Sequence, residues 1–192
     1  MRRGVNIDLP TWLTTWETTL PDRMPDDATA MGAALEACRR NIRYRTGGPF
    51  GAVVVDADTG ALLAVGVNLV VRNRASALHA EMVALTRAQQ RLSVDNLSAG
   101  GRRVTLYSTA EPCAMCLGAL PWSGIARLVC GARDADVRST GFDEGDKPSG
   151  WPAKLHRRGM TVTRDVLRAE AVACLRHYRD HGGRLYGRGT PG

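Results

Sequence analysis

The sequence predicts an α/β protein in which helices form two outer layers around a central five-stranded mixed sheet, a three-layer α/β/α fold. Two observations predict it. Five short segments rich in apolar and β-branched residues alternate with segments whose apolar residues recur at helical spacing, the order expected of helices packed on a sheet. The chain has 192 residues, 44% of them hydrophobic and 23% charged, so it can bury one core without disulfides.

The first half of the chain is predicted to contain three helices and a hairpin. These elements are a helix over 9–20, a helix from Asp26 or Asp27 to about Tyr44, strands over 50–56 and 61–67, and a helix over about 77–90. Trp12, Trp16 and Leu20 share one face of the first helix. Either aspartate can cap the second helix, and a polar turn ending at Gly60 joins the strands.

The second half continues the alternation of strands and helices. Its elements are a strand over 103–107, a helix over 112–119, a strand over 125–131, a helical turn over 134–140, a strand over 160–163 and a helix over 166–181. Residues 141–152 are rich in Gly, Pro and charge, which predicts a loop, and 187–192 are expected to fray. We expect an N-terminal extension over 1–25, a core over 26–150 and a C-terminal extension over 151–192.

Composition excludes some classes of protein and leaves others open. No apolar run approaches the roughly 18 residues of a membrane span. The residues after Met1 lack a signal-peptide apolar segment, and five cysteines make a poor disulfide framework, so a cytoplasmic protein is expected. The net charge of +7 fits either a nucleic-acid or phosphate footprint or an Arg-for-Lys bias with solvated helix faces.

Two short motifs contain residues suited to metal chemistry. Cys113 and Cys116 stand at i and i+3, which places them on one face of a helix that Pro112 can begin. The positive end of that helix favours the thiolate form that binds metal. His79 supplies a third ligand, and three protein ligands leave one tetrahedral position open for water. Alone, a C-x-x-C pair fits redox or structural zinc equally, and Cys130 and Cys174 fit core thiols.

The spacing of His79 and Glu81 constrains where they can lie. Residues at i and i+2 are about 200° apart on an ideal helix, so they converge only near its first turn. The pattern therefore predicts two helix N-termini directed at one metal, with Ser76 as the cap of the first helix. Glu81 could then take a proton from water and pass it to the substrate and the leaving amine.

Together the motifs His79-Ala80-Glu81 and Pro112-Cys113-x-x-Cys116 resemble the signature of the zinc-dependent base deaminases of the cytidine deaminase superfamily. The resemblance implies a cytidine deaminase-like fold. It implies one Zn²⁺ per subunit, held by His79, Cys113 and Cys116, with a zinc-bound hydroxide as nucleophile. It also implies Glu81 as the catalytic proton shuttle.

Further segments resemble the bacterial guanine deaminases within that superfamily. The segment Gly47-Gly48-Pro49-Phe50-Gly51-Ala52-Val53 is similar to their first-strand motif, and Gly141-Phe142-Asp143-Glu144 is similar to their G-F-D-[DE] loop. The resemblance implies that Glu144 is a second catalytic carboxylate. The substrate-binding residues it implies are Phe50, Asn68, Ala80, Trp122, Asp143 and Tyr186. All of these except Ala80 have a structural alternative, and so does Glu144: strand core for Phe50, a turn for Asn68, dimer packing for Trp122, solvation for Asp143 and Glu144, and a hydrophobic anchor for Tyr186.

The resemblance implies hydrolysis of a free base, guanine to xanthine and ammonia, by a homodimer. We expect a cytoplasmic protein that binds neither membrane nor nucleic acid. A cytosine, cytidine or amino-triazine deaminase shares the same zinc core and stays open. A tRNA-binding adenosine deaminase would use the basic tail, and a non-catalytic zinc fold would need no role for Glu81.

Overall fold

The structure, a computed structural model, describes residues 6–186. Its helices are α1 (Thr11–Glu17), α2 (Asp27–Arg43), α3 (Val70–Asn73), α4 (Ala80–Leu92), α5 (Ala114–Ser123), α6 (Asp134–Arg138), α7 (Trp151–His156) and α8 (Arg168–Asp180). Its strands are β1 (Gly51–Asp56), β2 (Leu62–Val67), β3 (Val104–Ala110), β4 (Arg127–Ala132) and β5 (Thr161–Thr163).

The five strands form one mixed sheet in the order β2-β1-β3-β4-β5. β1 pairs antiparallel with both β2 and β3, whereas β3, β4 and β5 run parallel to one another. The parallel pairs require crossover connections, which α5, α6 and α7 provide. The predicted five-stranded mixed sheet is confirmed.

Helices cover both faces of this sheet, as the alternation of apolar side chains along each strand requires. On one face, Val53 and Val55 pack into a core shared with α1, α2 and α8. On the other face, Val54 and Leu106 pack into a second core shared with α4, α5 and α7. The predicted α/β/α layering is therefore confirmed. Among residues 6–186, no helix has the length and apolar character needed to cross a bilayer.

The helix α4 packs closely against β2, and its first turn lies beside the predicted metal ligands. A Cβ atom added at Gly66 would lie 2.3 Å from the carbonyl oxygen of Ala80 and 2.4 Å from the backbone nitrogen of Ala84. Only glycine allows a helix backbone to approach a strand this closely. The position of Gly66 therefore sets where the first turn of α4 lies.

The helix α1 belongs to the same core as the rest of the chain. Leu13 and Trp16 are buried with α2 and the sheet. Glu17 at its C-terminal end accepts hydrogen bonds from Arg87 of α4 and from the backbone of Val65 in β2. The N-terminal segment is thus attached to the two elements that position the candidate site.

Several predicted element ends are wrong by a few residues, and two helices, α3 and α7, were missed. α5 begins at Ala114 rather than at residue 112, because Cys113 is the N-cap and Pro112 precedes it. The predicted loop over 141–152 contains the start of α7, in which Pro152 occupies the first turn, where its missing N–H costs nothing. The last helix begins at Arg168, because Leu167 adopts a left-handed conformation (φ +50°). The predicted frayed end over 187–192 lies outside the described residues.

Candidate active site

Two helix N-termini meet at the candidate site. His79 is the N-cap residue of α4 and Cys113 is the N-cap residue of α5, both with extended backbone. Neither side chain caps its own helix, so both are free to face the space between the two helices. The predicted convergence of two helix starts is thus observed. The prediction that Ser76 caps α4 is wrong, because the chain turns into the helix three residues later.

The three predicted metal ligands form one compact group. The ligand atoms of His79, Cys113 and Cys116 lie within 4.8 Å of one another, and His79 Nδ1 is 3.4 Å from Cys113 Sγ. A hydrogen bond from Cys116, outweighing burial and aided by His79, lowers the pKa of the Cys113 thiol to about 4. One imidazole and two thiols, one of them held as thiolate, are a donor set that suits zinc.

Glu81 lies in the first turn of α4, one residue beyond Ala80. Its side chain is only 6% exposed and lines the same cavity as His79 and Cys113. Burial raises the pKa of Glu81, and the negative charge of Cys113 acts in the same direction. A carboxyl group with a raised pKa is suited to carry a proton between reacting atoms.

A second buried carboxylate comes from the loop between α6 and α7. The backbone carbonyl of Glu144 accepts a 2.9 Å hydrogen bond from the backbone N–H of Ala114, which attaches the loop to the first turn of α5. Burial raises the pKa of the Glu144 carboxyl to about 7, although Lys147 lowers it in part. Glu81 and Glu144 therefore both face one cavity as acids whose pKa values are shifted upward.

These groups surround a small cavity of about 20 Å³. Its lining consists of Phe50, His79, Glu81, Ala110, Glu111, Cys113, Phe142, Asp143, Glu144 and Tyr186. A volume of this size holds about one water molecule. A larger cleft of about 600 Å³, between α2 and the residues that follow α8, contains none of these groups.

Aromatic side chains cover the cavity, with Phe142 at their centre. The ring of Phe142 lies 5.1 Å from that of Phe50, 5.3 Å from that of Tyr186 and 6.1 Å from that of Tyr178. The ring of Tyr186 also lies edge-on to His79, at 6.1 Å. The buried Tyr186 hydroxyl makes no hydrogen bond within the described residues. Such an arrangement can enclose a flat ring and leave a polar hydroxyl to contact it.

Three residues of the predicted binding set lie outside the cavity lining. Asn68 is fully buried; its Oδ1 accepts a hydrogen bond from the backbone of Val70, and its Nδ2 has no partner among the described residues. Ala80 is buried against Gly66. Trp122 is 79% exposed near the end of α5. The structure brings Phe50, Asp143 and Tyr186 to the cavity, but not these three.

Sequence reasoning assigned no role to several residues that contribute to the site. Phe142 stands inside the Gly141–Glu144 motif, Glu111 directly precedes the Pro112-Cys113-x-x-Cys116 motif, and both line the cavity. The buried carboxylate of Glu111 accepts hydrogen bonds from Arg164 and from the backbone of Asp134 at the start of α6. A carboxylate directly before Pro112-Cys113 was the available signal for Glu111.

Comparison with known families places the motifs in one group. The family described as "Cytidine and deoxycytidylate deaminase zinc-binding region" matches residues 24–132, more than half of the chain. The match includes all three residues of the metal group and Glu81. It ends before the loop that contains Glu144.

Individual relatives extend the similarity over most of the chain. A guanine deaminase of Bacillus subtilis is 37% identical over 127 residues, which cover 63% of this chain and 78% of that protein. A guanine deaminase structure from Nitrosomonas europaea is 44% identical, with a TM-score of 0.89 and coverage of 94% and 98%. A point mutant of NE0047 in complex with 8-azaguanine is 44% identical, with a TM-score of 0.90 and coverage of 95% and 99%. NE0047 has also been solved with 2,6-diaminopurine, at 45% identity, a TM-score of 0.89 and coverage of 95% and 96%.

Proposed function

The chain belongs to the family of cytidine and deoxycytidylate deaminases that share this zinc-binding region, and on that premise we propose that it hydrolyses guanine to xanthine and ammonia. As a member of the family, it is a zinc-dependent hydrolytic deaminase. The observation that carries the proposal is that one small cavity joins a His/Cys/Cys group to two buried carboxylates under an aromatic cover. Similar proteins that bind guanine analogues support guanine as the base.

The metal site would hold one zinc ion per subunit through His79, Cys113 and Cys116. When bound, zinc supplies a Lewis acid that lowers the pKa of a water molecule and so provides a nucleophile near neutral pH. The protein has to place the C2 carbon of guanine next to that nucleophile and keep bulk water out. The aromatic cover formed by Phe50, Phe142 and Tyr186 is suited to both tasks.

The two carboxylates would divide the proton transfers of the reaction between them. Addition of water across the C2 amidine requires a proton on the adjacent ring nitrogen, and loss of ammonia requires a proton on the exocyclic amine. Glu81 would take the proton of the attacking water and deliver it to the ring nitrogen. Glu144 would protonate the amine, for which a pKa of about 7 is suitable because the group can donate near neutral pH. As ammonia leaves and the C2 carbonyl forms, the proton of the added hydroxyl would pass to the carboxylates, which restores their starting protonation.

The remaining predicted residues would read the edges of the base. Within residues 6–186, the Nδ2 of Asn68 and the Tyr186 hydroxyl are buried polar groups without a hydrogen-bond partner. A guanine ring in an enlarged cavity would satisfy groups of this kind with its carbonyl and ring nitrogens. Ala80 and Asp143 complete the proposed binding set, Ala80 from the start of α4 and Asp143 from the wall next to Glu144.

We further propose a homodimer in which the exposed face of α5 meets a second copy. Met115 and Trp122 are exposed large apolar side chains that lie seven residues apart on the same helix face. Trp122 would act there, beside the metal-binding helix, rather than in the cavity of its own subunit. The proposal also divides the chain into an N-terminal extension over 1–25, a deaminase core over 26–150 and a C-terminal extension over 151–192. It places the enzyme in the cytoplasm, with a role in purine metabolism.

The test is release of ammonia from a panel of substrates by the purified, zinc-loaded protein. The panel contains guanine, guanosine, cytosine, cytidine, an amino-triazine and a tRNA with adenosine at the anticodon wobble position. We expect the highest kcat/KM with guanine, and zinc near one equivalent per chain. Turnover of cytosine or tRNA without turnover of guanine would overturn the choice of base. Amino-triazine turnover below that of guanine is compatible with it, because such rings share the amidine carbon.

A further inference from the structure

The chain contains only two lysines, and one of them, Lys147, is buried next to the candidate site. Its side chain is only 7% exposed. Its ammonium group donates hydrogen bonds to the carbonyl oxygen of Pro112 at 3.0 Å and to Glu144 Oε2 at 3.3 Å. It also lies 2.5 Å from Asp134 Oδ1, forming an ion pair. Three oxygen atoms from three separate segments therefore converge on one ammonium group.

Each of these oxygens belongs to a segment that shapes the site. Pro112 directly precedes the metal-ligand candidate Cys113, and Asp134 is the first residue of α6, after β4. Glu144 is already attached by its backbone to Ala114 at the start of α5. That backbone contact fixes the position of Glu144 in the chain but does not fix the direction in which its carboxylate points. Among the described residues, Lys147 is the cation that contacts this carboxylate.

Packing alone does not account for a lysine at this position. Removing an ammonium group from water costs several kcal/mol even when it is paired, and an apolar side chain of similar volume would avoid that cost. The loop also has other attachments, since Arg138 donates to the carbonyl of Gly145 and Gly145 N–H donates to Asp143. The feature that Lys147 adds is a fixed partner for the side chain of Glu144.

We propose that Lys147 is a positioning residue for deamination, which holds the Glu144 carboxylate toward the base and the metal group. The proposal rests on the proposed function, because it requires Glu144 to act on the substrate. Lys147 acts through Glu144 and touches no reacting atom. Without it, the Glu144 carboxylate keeps its place in the chain but loses its direction, and misplacement of a catalytic group by about 1 Å can cost 10²-fold in rate.

A double-mutant cycle tests this role in the zinc-loaded enzyme. Lys147→Met is expected to lower kcat about 10- to 100-fold, with KM changed less than about threefold, because Lys147 does not contact the base. Glu144→Gln removes the group through which Lys147 acts. The double variant is therefore expected to have the kcat of Glu144→Gln alone, within about threefold, because coupled residues are not additive. If Lys147→Met does not yield soluble protein, Lys147→Gln replaces it in the cycle.

Matched controls separate positioning from general structure. Lys154→Met alters the other lysine, which is exposed on α7, and is expected to leave kcat unchanged. Zinc content is measured for every variant. Three outcomes would each overturn the proposal. The first is a double variant in which the two decreases in kcat multiply. The others are a kcat for Lys147→Met within twofold of wild type and an inactivity explained by loss of zinc.

The substrate panel keeps this proposal distinct from the choice of guanine. If the wild-type protein turns over another base, the cycle is run on that base, and the expectation for Lys147 is the same. If it turns over none, the proposed function fails and the role of Lys147 fails with it.

Discussion

At the scale of single residues, Glu81 has the burial and the raised pKa that suit a group that transfers protons. It is buried, lies two residues after His79 in the first turn of α4, and has a pKa raised by burial. Glu81→Gln keeps the size of the side chain but cannot carry the proton. Because positioned acid–base groups contribute about 10²–10⁴-fold, we expect kcat for ammonia release to fall by that factor while zinc content is unchanged.

The matched control for Glu81 is Glu170→Gln, an exposed glutamate in the first turn of α8. It should leave turnover as in the wild type. A Glu81→Gln protein that retains more than a tenth of the wild-type kcat would assign the proton transfer to another group. A wild-type protein without deaminase activity would instead favour the interpretation of this fold as a non-catalytic zinc protein.

Also at the residue scale, the sequence allowed us to predict site residues that stand close together in a short motif. It did not allow us to predict site residues that only the folding of the chain brings together. His79, Glu81, Cys113 and Cys116 stand in two motifs whose separations have a direct geometric meaning, and the structure brings them together. Lys147 could not be found this way. Its three partners come from residues 112, 134 and 144, and their proximity depends on how a loop folds back on α5 and α6.

At the scale of elements, Glu17 attaches α1 to the part of the fold that supports the site. Its carboxylate is 10% exposed, lies 2.8 Å from Arg87 and 2.9 Å from Arg91, and accepts a 2.8 Å hydrogen bond from the backbone of Val65. Burial would raise its pKa, but the hydrogen bonds and charge of Arg87 outweigh burial and hold the pKa below the ordinary value of 4.5.

Glu17→Gln is expected to lower the free energy of unfolding by about 2 kcal/mol near neutral pH, because it leaves Arg87 buried without its counter-charge. A depressed pKa gives stability that is complete above the unfolded value of 4.5 and is lost as pH falls through the folded value. Urea midpoints of wild type and variant should therefore differ by a constant amount above about pH 5 and converge below 4.5.

Glu36→Gln is the control for this measurement. Glu36 is 40% exposed and pairs with Arg40 one turn away on α2, so its loss is expected to cost less than about 0.5 kcal/mol. If the difference in urea midpoint between wild type and Glu17→Gln stayed the same in acid, packing rather than charge would attach α1 to the sheet and α4.

The existence and type of elements could be predicted better than their ends. Short apolar runs indicated all five strands along the chain, and helical spacing indicated most of the helices, because burial imposes those patterns. Helix starts depended on local geometry that composition does not reveal. His79 and Cys113 are N-caps although neither side chain accepts a capping hydrogen bond, so the usual preference for Ser at such positions pointed to Ser76.

At the scale of the whole molecule, the exposed apolar face of α5 predicts self-association. Trp122→Arg places a charge on that face, where it would be buried in the proposed homodimer. We expect sedimentation to give a dimer for the wild type and a monomer for the variant at micromolar concentration, because an unpaired buried charge costs several kcal/mol. Ala173→Arg adds the same charge to an exposed position of α8 and should stay dimeric. A wild-type monomer would contradict the expectation.

The small size of the cavity has a consequence for the rate of turnover. A cavity with room for about one water molecule does not hold a bicyclic purine while Tyr186 and Phe142 cover it. We therefore expect each turnover to require that this cover opens twice, once when the base binds and once when the product leaves. We expect this opening, rather than the chemical step, to limit kcat.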